Sequence, residues 1–333
     1  MGPSDGIAVG FGLDHLIGEP PTSVHPVAVF GRTMTWLEQW TYASTRQAGV
    51  VHLAAGAGGA GLIGAGVERC LGRRVGLAIA TALSVAGRML ASEAGLILTE
   101  LENGDLDAAR HRLPALVGRA PEGLDENEIV RAVIESLAEN TIDAVVAPML
   151  WGLVAGTPGV LGYRAINTLD AMIGHRTQRH LHFGWASARA DDAANLVPAR
   201  LGALGVMALR PRRAPVIWRT VSADAGRHPS PNGGVIEAAV AAALDVQLGG
   251  INRYEGAIED RGTLGNGPPP SVDDGRRAQR LAFELGVLTA ASCLLVPRLV
   301  SLVNAACNAR RTDQKFRETC AWMSMAPNMP WRS

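Results

Sequence analysis

Lysine is nearly absent. Lys315, near the C-terminus, is the only one, and every other fixed side-chain cation is arginine. A Walker A loop needs a lysine for the β- and γ-phosphates, and Schiff-base catalysis needs a lysine amine, so neither is expected here. Phosphate charge must instead be met by arginine, by backbone N–H groups or by a metal. Charge of either sign is sparse, at 19% of residues, and sums to zero, which leaves no basic footprint for nucleic acid. The four cysteines, Cys70, Cys293, Cys307 and Cys320, form no C-x-x-C pair and no zinc spacing, and read as structural. The eight histidines include no H-E-x-x-H. Strand signals are poor, with no sustained alternation and few β-branched clusters. The N-terminus lacks a basic n-region, so no cleavable signal peptide is expected.

What the chain has in quantity is apolar sequence. Hydrophobic residues make up 47% of the 333, and 39 residues are glycine. A spanning helix needs about 18 or more apolar residues. Residues 50–67 are uncharged but contain six glycines, which suit close helix packing. Residues 75–98 are apolar except for Arg88 and Glu93, and an ionisable group in such a run points to function or to a polar interior. Residues 144–163 carry no Asp, Glu, Lys or Arg, residues 194–209 are interrupted by Pro198 and Arg200, and residues 281–303 hold Glu284 and Arg298 near their ends. These runs predict an all-α, polytopic helical membrane protein with helical cytosolic segments. Residues 1–308 are expected to form one membrane-embedded domain with a soluble loop segment at about 211–279, followed by a tail at 309–333.

The densest polar cluster borders the longest uncharged run. In "AENTIDAVVAP", Glu139, Asn140, Thr141 and Asp143 precede residues 144–163. Arg131, Glu135, Glu139 and Asp143 recur every four residues, which places them along one helix face. A charge stripe is by default a solvated face. Here Glu135, Glu139 and Asp143 share one sign and repel unless a cation sits among them. A second cluster, "ARADDAANLVPAR", puts Asp191, Asp192 and Asn195 within one turn, flanked by Arg189 and Arg200. Carboxylates with an amide oxygen suit Mg²⁺, commonly held together with substrate phosphates. The plain alternative is an N-cap at Asp191 or Asp192. A third cluster, "INTLD", repeats the Asn-Thr-x-Asp pattern at Asn167, Thr168 and Asp170, and the Thr residues suit helix capping. Asp14 and His25 flank the "GEPP" break, and "HPSPNGG" is a turn-rich loop around Asn232.

As one straight helix, residues 144–163 would hold their ends roughly 30 Å apart. The clusters at Asp143 and Asn167 would then lie on opposite sides of a membrane. Gly156, Thr157, Pro158 and Gly159 form a strong helix breaker. A re-entrant or broken central hairpin is therefore expected, with both clusters on one side.

Together these blocks resemble the cobinamide-phosphate synthase family of cobalamin biosynthesis, CobD/CbiB. The resemblance rests on "LDHLIGEPPTSVHPVAVFGR", "NGDLDAARHRLPALVGR", "IESLAENTIDAVVAPMLW", "YRAINTLDAMIGHRTQRHLHFGWASARADDAANLVPARL", "HPSPNGG" and "LGGINRYEG", between about Leu13 and Gly256. Ala171, His175 and Arg176 stand where the family usually has Ser, Tyr and Lys. An arginine keeps the charge of a lysine but changes its geometry. The resemblance implies a multi-pass inner-membrane enzyme without nucleic-acid partners. It implies ATP-dependent amide formation between adenosylcobyric acid, a corrinoid, and aminopropanol or its phosphate. On that basis Glu135, Glu139, Asp143 and Asp192 are the catalytic candidates, and Asp191, Asp192 and Asn195 the Mg²⁺ ligands. Arg189, Arg200, Asn140, Asn167, Asp170, Arg176, Asn232, His25 and Asp14 are the substrate and nucleotide candidates. Membrane lipid is a partner, and assembly into a homo-oligomer stays open. Two other classes use similar features: a Mg²⁺-dependent membrane phosphotransferase or prenyltransferase, and a non-enzymatic membrane sensor of the same superfamily.

Overall fold

The computed structural model describes residues 2, 4–20, 23–118, 121–175, 177–254 and 257–325, with side chains left out at 252–254, 257–259, 303 and 305–325. The helices are α1 Asp5–Ile17, α2 Pro26–Thr41, α3 Arg46–Leu71, α4 Arg73–Ser84, α5 Gly87–Glu102, α6 Leu106–Arg112 and α7 Glu126–Thr141. After a π-helical turn, Ile142–Val146, come α8 Ala147–Ile173, α9 Trp185–Leu209, α10 Ala214–Asp224, α11 Gly233–Leu244 and α12 Val272–Met325. One antiparallel hairpin, β1 Leu248–Tyr254 and β2 Ala257–Leu264, lies within the segment expected as soluble loop, alongside α10 and α11. The hairpin was not expected from the sequence, where two glycines near the start of β1 and a charged β2 mask any alternation.

Among the described residues, four stretches are long and apolar enough to cross a membrane: Arg46–Leu71, Arg73–Glu102, Glu126–Ile173 and Val272–Leu302. The run at 194–209 is not among them; it forms part of α9, which packs on α8, α11 and α12. Exposed Val50, Val51, Leu62 and Ile63 on α3, and Leu295, Leu299 and Leu302 on α12, face outward, as lipid-facing positions do.

Local sequence fixes several starts. Asp125 caps α7 in a reciprocal capping box: Glu128 N–H donates to its Oδ1 at 2.8 Å, and Asp125 N–H donates to Glu128 Oε2 at 3.0 Å. Pro26 opens α2, where its missing N–H costs nothing, and His25 Nδ1 accepts from Val27 N–H at 3.2 Å. The main core gathers around α11, whose twelve residues are all buried. Its small side chains let α7, α9 and α12 approach closely, as in membrane helix packing.

Two irregularities shape the site. The first is the break expected near residues 156–159. Gly156 has φ 68° and ψ −155°, so α8 is two arms, residues 147–155 and 157–173. The arms fold back on each other: a Cβ on Gly159 would meet the Trp151 carbonyl, and one on Gly152 would meet Val160. Glu68 of α3 holds the turn, accepting from Thr157 N–H at 2.9 Å. The second is the π-turn. Its wider spacing releases carbonyls from the helix ladder. Ala144 O accepts from Ala86 N–H at 3.1 Å, satisfying the break between α4 and α5. Asp143 O accepts from the Tyr163 hydroxyl at 3.2 Å.

Candidate functional site

The hairpin brings the second arm of α8 back beside the π-turn, and α9 lies across both. Asp191 is held by two amides: Asn167 Nδ2 donates to its Oδ1 at 3.2 Å and Asn195 Nδ2 to its Oδ2 at 3.0 Å. Asn195, 2% exposed, turns its own oxygen to the Tyr163 hydroxyl at 2.8 Å. Arg164 Nη1 donates to Asn167 Oδ1 at 3.2 Å. Three elements far apart in sequence thus form one network, and Trp151 Nε1, donating to Ala194 O at 3.1 Å, ties the first arm to the same helix.

Carboxylates concentrate here. Asp143 feels the charges of Asp191, Glu139 and Asp170, and Asp170 feels those of Asp191, Asp192 and Glu139. Against them stand Arg164, within electrostatic reach of Asp143, and Arg189, whose Nη1 lies 3.5 Å from Asp192 Oδ2. The site carries surplus negative charge. On α9, burial pushes the Asp191 carboxyl above its ordinary value, against the two amide hydrogen bonds, and Asp192 adds to the rise. Burial also raises Asp192, opposed by Arg189.

The "HPSPNGG" loop closes one side. Asn232 Nδ2 donates to the backbone oxygen of Asp192 at 2.7 Å, and Arg200 Nη1 reaches Asn232 Oδ1 at 3.4 Å. The loop is itself fixed: Ser230 N–H donates to His228 Nδ1 at 3.0 Å, Ser230 Oγ accepts from Gly233 N–H at 3.0 Å, and His228 Nε2 faces buried Glu237 at 3.4 Å. A Cβ on Gly233 would lie 2.9 Å from Glu139 Oε1, so glycine lets α11 start against that carboxylate.

The stripe on α7 divides. Glu135 Oε1 accepts from Gly249 N–H at 2.8 Å, and Arg131 donates to the Gly249 carbonyl, so both serve the β-hairpin. Glu139 faces Gly233, and Asp143, beyond the start of the π-turn, faces α8 and α9. The extra backbone in that turn rotates Asp143 away from strict four-residue register. Asn140 turns back on its own helix, donating to Ser136 O at 3.0 Å and Ser136 Oγ at 2.9 Å. Asp14, 1% exposed, accepts from Arg88 N–H at 3.2 Å and so caps α5. Arg176 lies outside the described residues.

His25 does approach the site. Its Nε2 is 3.5 Å from Glu19 Oε2, and both residues lie within electrostatic reach of Arg164. Burial raises the Glu19 carboxyl and lowers the His25 imidazole from their ordinary values. Tyr163, Arg164 and Glu19 are the residues the sequence clusters did not nominate. The signal for Tyr163 and Arg164 was their place at the end of the uncharged run, where a helix leaves the hairpin.

Among the described residues no three His, Cys, Asp or Glu side chains form a ready-made metal-binding group. The oxygen donors nevertheless fit Mg²⁺, which usually takes one or two protein carboxylates and completes its shell with water and phosphate. Each Asp191 oxygen keeps a lone pair after its amide bond, Asp192 is partly open to solvent, and the surrounding charge is negative. Asn195 orients Asp191 through its Nδ2, and its Oδ1, beside the Tyr163 hydroxyl, keeps a second lone pair.

The family model "CobD/Cbib protein" matches residues 7–282. The chain is 47% identical over 304 residues to "Cobalamin biosynthesis protein CobD" of Mycobacterium tuberculosis, covering 89% of this chain and 95% of the relative. It is 40% identical over 298 residues to the protein of that name from Geobacter metallireducens, covering 85% of this chain and 92% of the relative. No solved structure matches the chain. With the family model spanning most of its length and these relatives covered nearly end to end, the chain belongs to the CobD/CbiB family.

Proposed function

We propose that this protein is an adenosylcobinamide or adenosylcobinamide-phosphate synthase of cobalamin biosynthesis, acting in the inner membrane. It joins adenosylcobyric acid to (R)-1-amino-2-propanol or its O-phosphate, using ATP to activate the corrinoid carboxylate. The observation that carries this reading is the convergence of Glu139, Asp143, Asp170, Asp191 and Asp192, beside Arg164, on the network that joins both ends of the hairpin to α9.

Asp191 and Asp192 would hold Mg²⁺, which when bound screens the charge of the nucleotide phosphates. Asn167 and Asn195 fix the Asp191 carboxylate, and Asn232 fixes the backbone at Asp192. Arg164, Arg189 and Arg200 supply the cations that lysine supplies in other phosphate sites. The amine must lose protons as it attacks the activated acyl group, and Asp143 and Glu139 are the nearby carboxylates suited to accept them.

The test is reconstitution in detergent with adenosylcobyric acid, aminopropanol phosphate, Mg²⁺ and ATP. A corrinoid amide that forms only with nucleotide is expected. Absence of that product from folded protein, with turnover of a lipid diphosphate instead, would replace the ligase reading by a phosphotransferase or prenyltransferase one.

A further inference from the structure

We propose that the cavity between α1, α5, α7 and α12 binds one anionic membrane phospholipid, and that this lipid braces the π-turn from the side opposite the carboxylates. The cavity has a volume of about 700 Å³, within the usual range for sites that enclose a small ligand or part of a larger one. Phe11, Leu90, Leu137, Val145 and Phe283 give it an apolar wall, and Arg88 and Arg280, with His15 beside them, give it a cationic one.

The walls indicate the occupant's chemistry. α5 and α12 belong to stretches able to cross a membrane, and Phe283 is 51% exposed, so the cavity borders the lipid-facing surface. The polar side is positive. Arg88 is fixed by donating to His15 O at 3.2 Å and Leu16 O at 2.9 Å, and Arg280 is exposed with no ion-pair partner among the described residues. Glu284, the one carboxylate on the lining, is neutralised by Arg210 at 2.7 Å. His15 Nδ1 lies 3.2 Å from buried Asp14 Oδ2, and that hydrogen bond holds the imidazole above its ordinary value against its burial, so the uncompensated positive charge on the lining is that of Arg88 and Arg280. Cations beside an apolar run are costly unless an anion meets them. Thr141, 2% exposed, also lines the cavity, and its hydroxyl has no hydrogen-bond partner among the described residues. An acyl chain, an ester oxygen and a phosphate would satisfy the apolar wall, the hydroxyl and the cations together.

The site is distinct from the carboxylate cluster but shares backbone with it. Thr141 and Val145 line the cavity, while Asp143 between them takes part in the carboxylate cluster through the π-turn. Filling the cavity supports the turn that positions Asp143.

The experiment is thermal unfolding of delipidated protein in a neutral detergent, with phosphatidylglycerol, phosphatidylcholine or soluble glycerol phosphate added separately. Phosphatidylglycerol should raise the midpoint by several degrees, and the other two should leave it near the starting value. Arg280→Gln, an exposed change, should keep the starting midpoint and lose the phosphatidylglycerol response. Ala282→Trp, which fills the cavity, should lose it as well. An equal shift with phosphatidylcholine, a shift with glycerol phosphate alone, or a full response in Arg280→Gln would each overturn the proposal. None of these readouts depends on enzymatic activity.

Discussion

The Tyr163 hydroxyl donates to the backbone oxygen of Asp143 at 3.2 Å, although the two residues stand at opposite ends of the uncharged run. The same hydroxyl meets Asn195 Oδ1 at 2.8 Å, in a buried setting. One side chain therefore closes the hairpin and attaches it to α9. Tyr163→Phe keeps the ring but removes the single O–H that these two acceptors share, leaving buried Asn195 Oδ1 without it, at a cost of about 1–3 kcal/mol. Thermal unfolding in detergent should show a clear drop in midpoint, and a variant as stable as wild type would mean that the hydroxyl does not hold the hairpin.

The turn of that hairpin depends on one backbone conformation. Gly156, at φ 68° and ψ −155°, occupies a region essentially reserved for glycine, and an added Cβ would lie 2.5 Å from Glu68 Oε2. Gly156→Ala should cost about 1–3 kcal/mol or more, since Glu68 must also release Thr157 N–H. Pro158→Ala should change stability by less than about 1 kcal/mol, because a proline in the first turn of a helix gives up no hydrogen bond. Equal destabilisation by the two substitutions would contradict this assignment of the turn.

The break and the meeting of Asp143 with Asp170 were legible because Gly156 and Pro158 carry their conformational preferences locally. So was the Asp191–Asp192–Asn195 cluster, which fits within one helical turn. The division of the α7 stripe was not legible. Four-residue spacing fixes a helix face only while the helix stays α, and the π-turn at Ile142–Val146 has no local sequence signature. Nor could spacing show that Glu135 bonds Gly249, because that partner lies on a hairpin whose strands the composition concealed. Tyr163 and Arg164 acquire their roles from the fold-back itself, which places them against α9 and the π-turn.

Asp191 and Asp192 are adjacent but should respond differently to substitution. Asp191 is gripped by Asn167 and Asn195, so Asp191→Ala leaves two amides without an acceptor and should cost about 1–3 kcal/mol in stability as well as activity. The Asp192 side chain is 34% exposed and, among the described residues, pairs with Arg189 at 3.5 Å. Asp192→Asn should stay within about 0.5 kcal/mol of wild type in stability, as exposed substitutions usually do, while amide-forming activity is lost. Unfolding curves and turnover measured on the same preparations separate the two effects. Wild-type turnover in Asp192→Asn would remove that residue from the proposed metal site.

Acid should loosen the loop that follows Asp170. Residues 177–184 are fastened to α2 through Glu38, whose Oε1 accepts from Arg179 Nη2 at 2.8 Å and Nε at 3.1 Å and meets His180 Nε2 at 3.4 Å. Burial pushes the Glu38 carboxyl up, but the hydrogen bonds from Arg179 and His180 together outweigh it and leave it below its ordinary value. A carboxyl lower in the folded than in the unfolded state stabilises the fold fully above the unfolded value, near about 4.3. That contribution is lost as pH falls through the folded value. Arg179 also stacks on Tyr42, 4.2 Å from the ring centroid, so part of the attachment survives protonation of Glu38. Glu38→Gln should lower stability at neutral pH by roughly 1–3 kcal/mol. Between about pH 6 and about pH 3 the difference from wild type should shrink, because only wild type has this ionised contact to lose. Unfolding midpoints of both proteins across that range provide the check, and a difference that stays constant down to the lowest pH would show that the Glu38 charge does not fasten the loop.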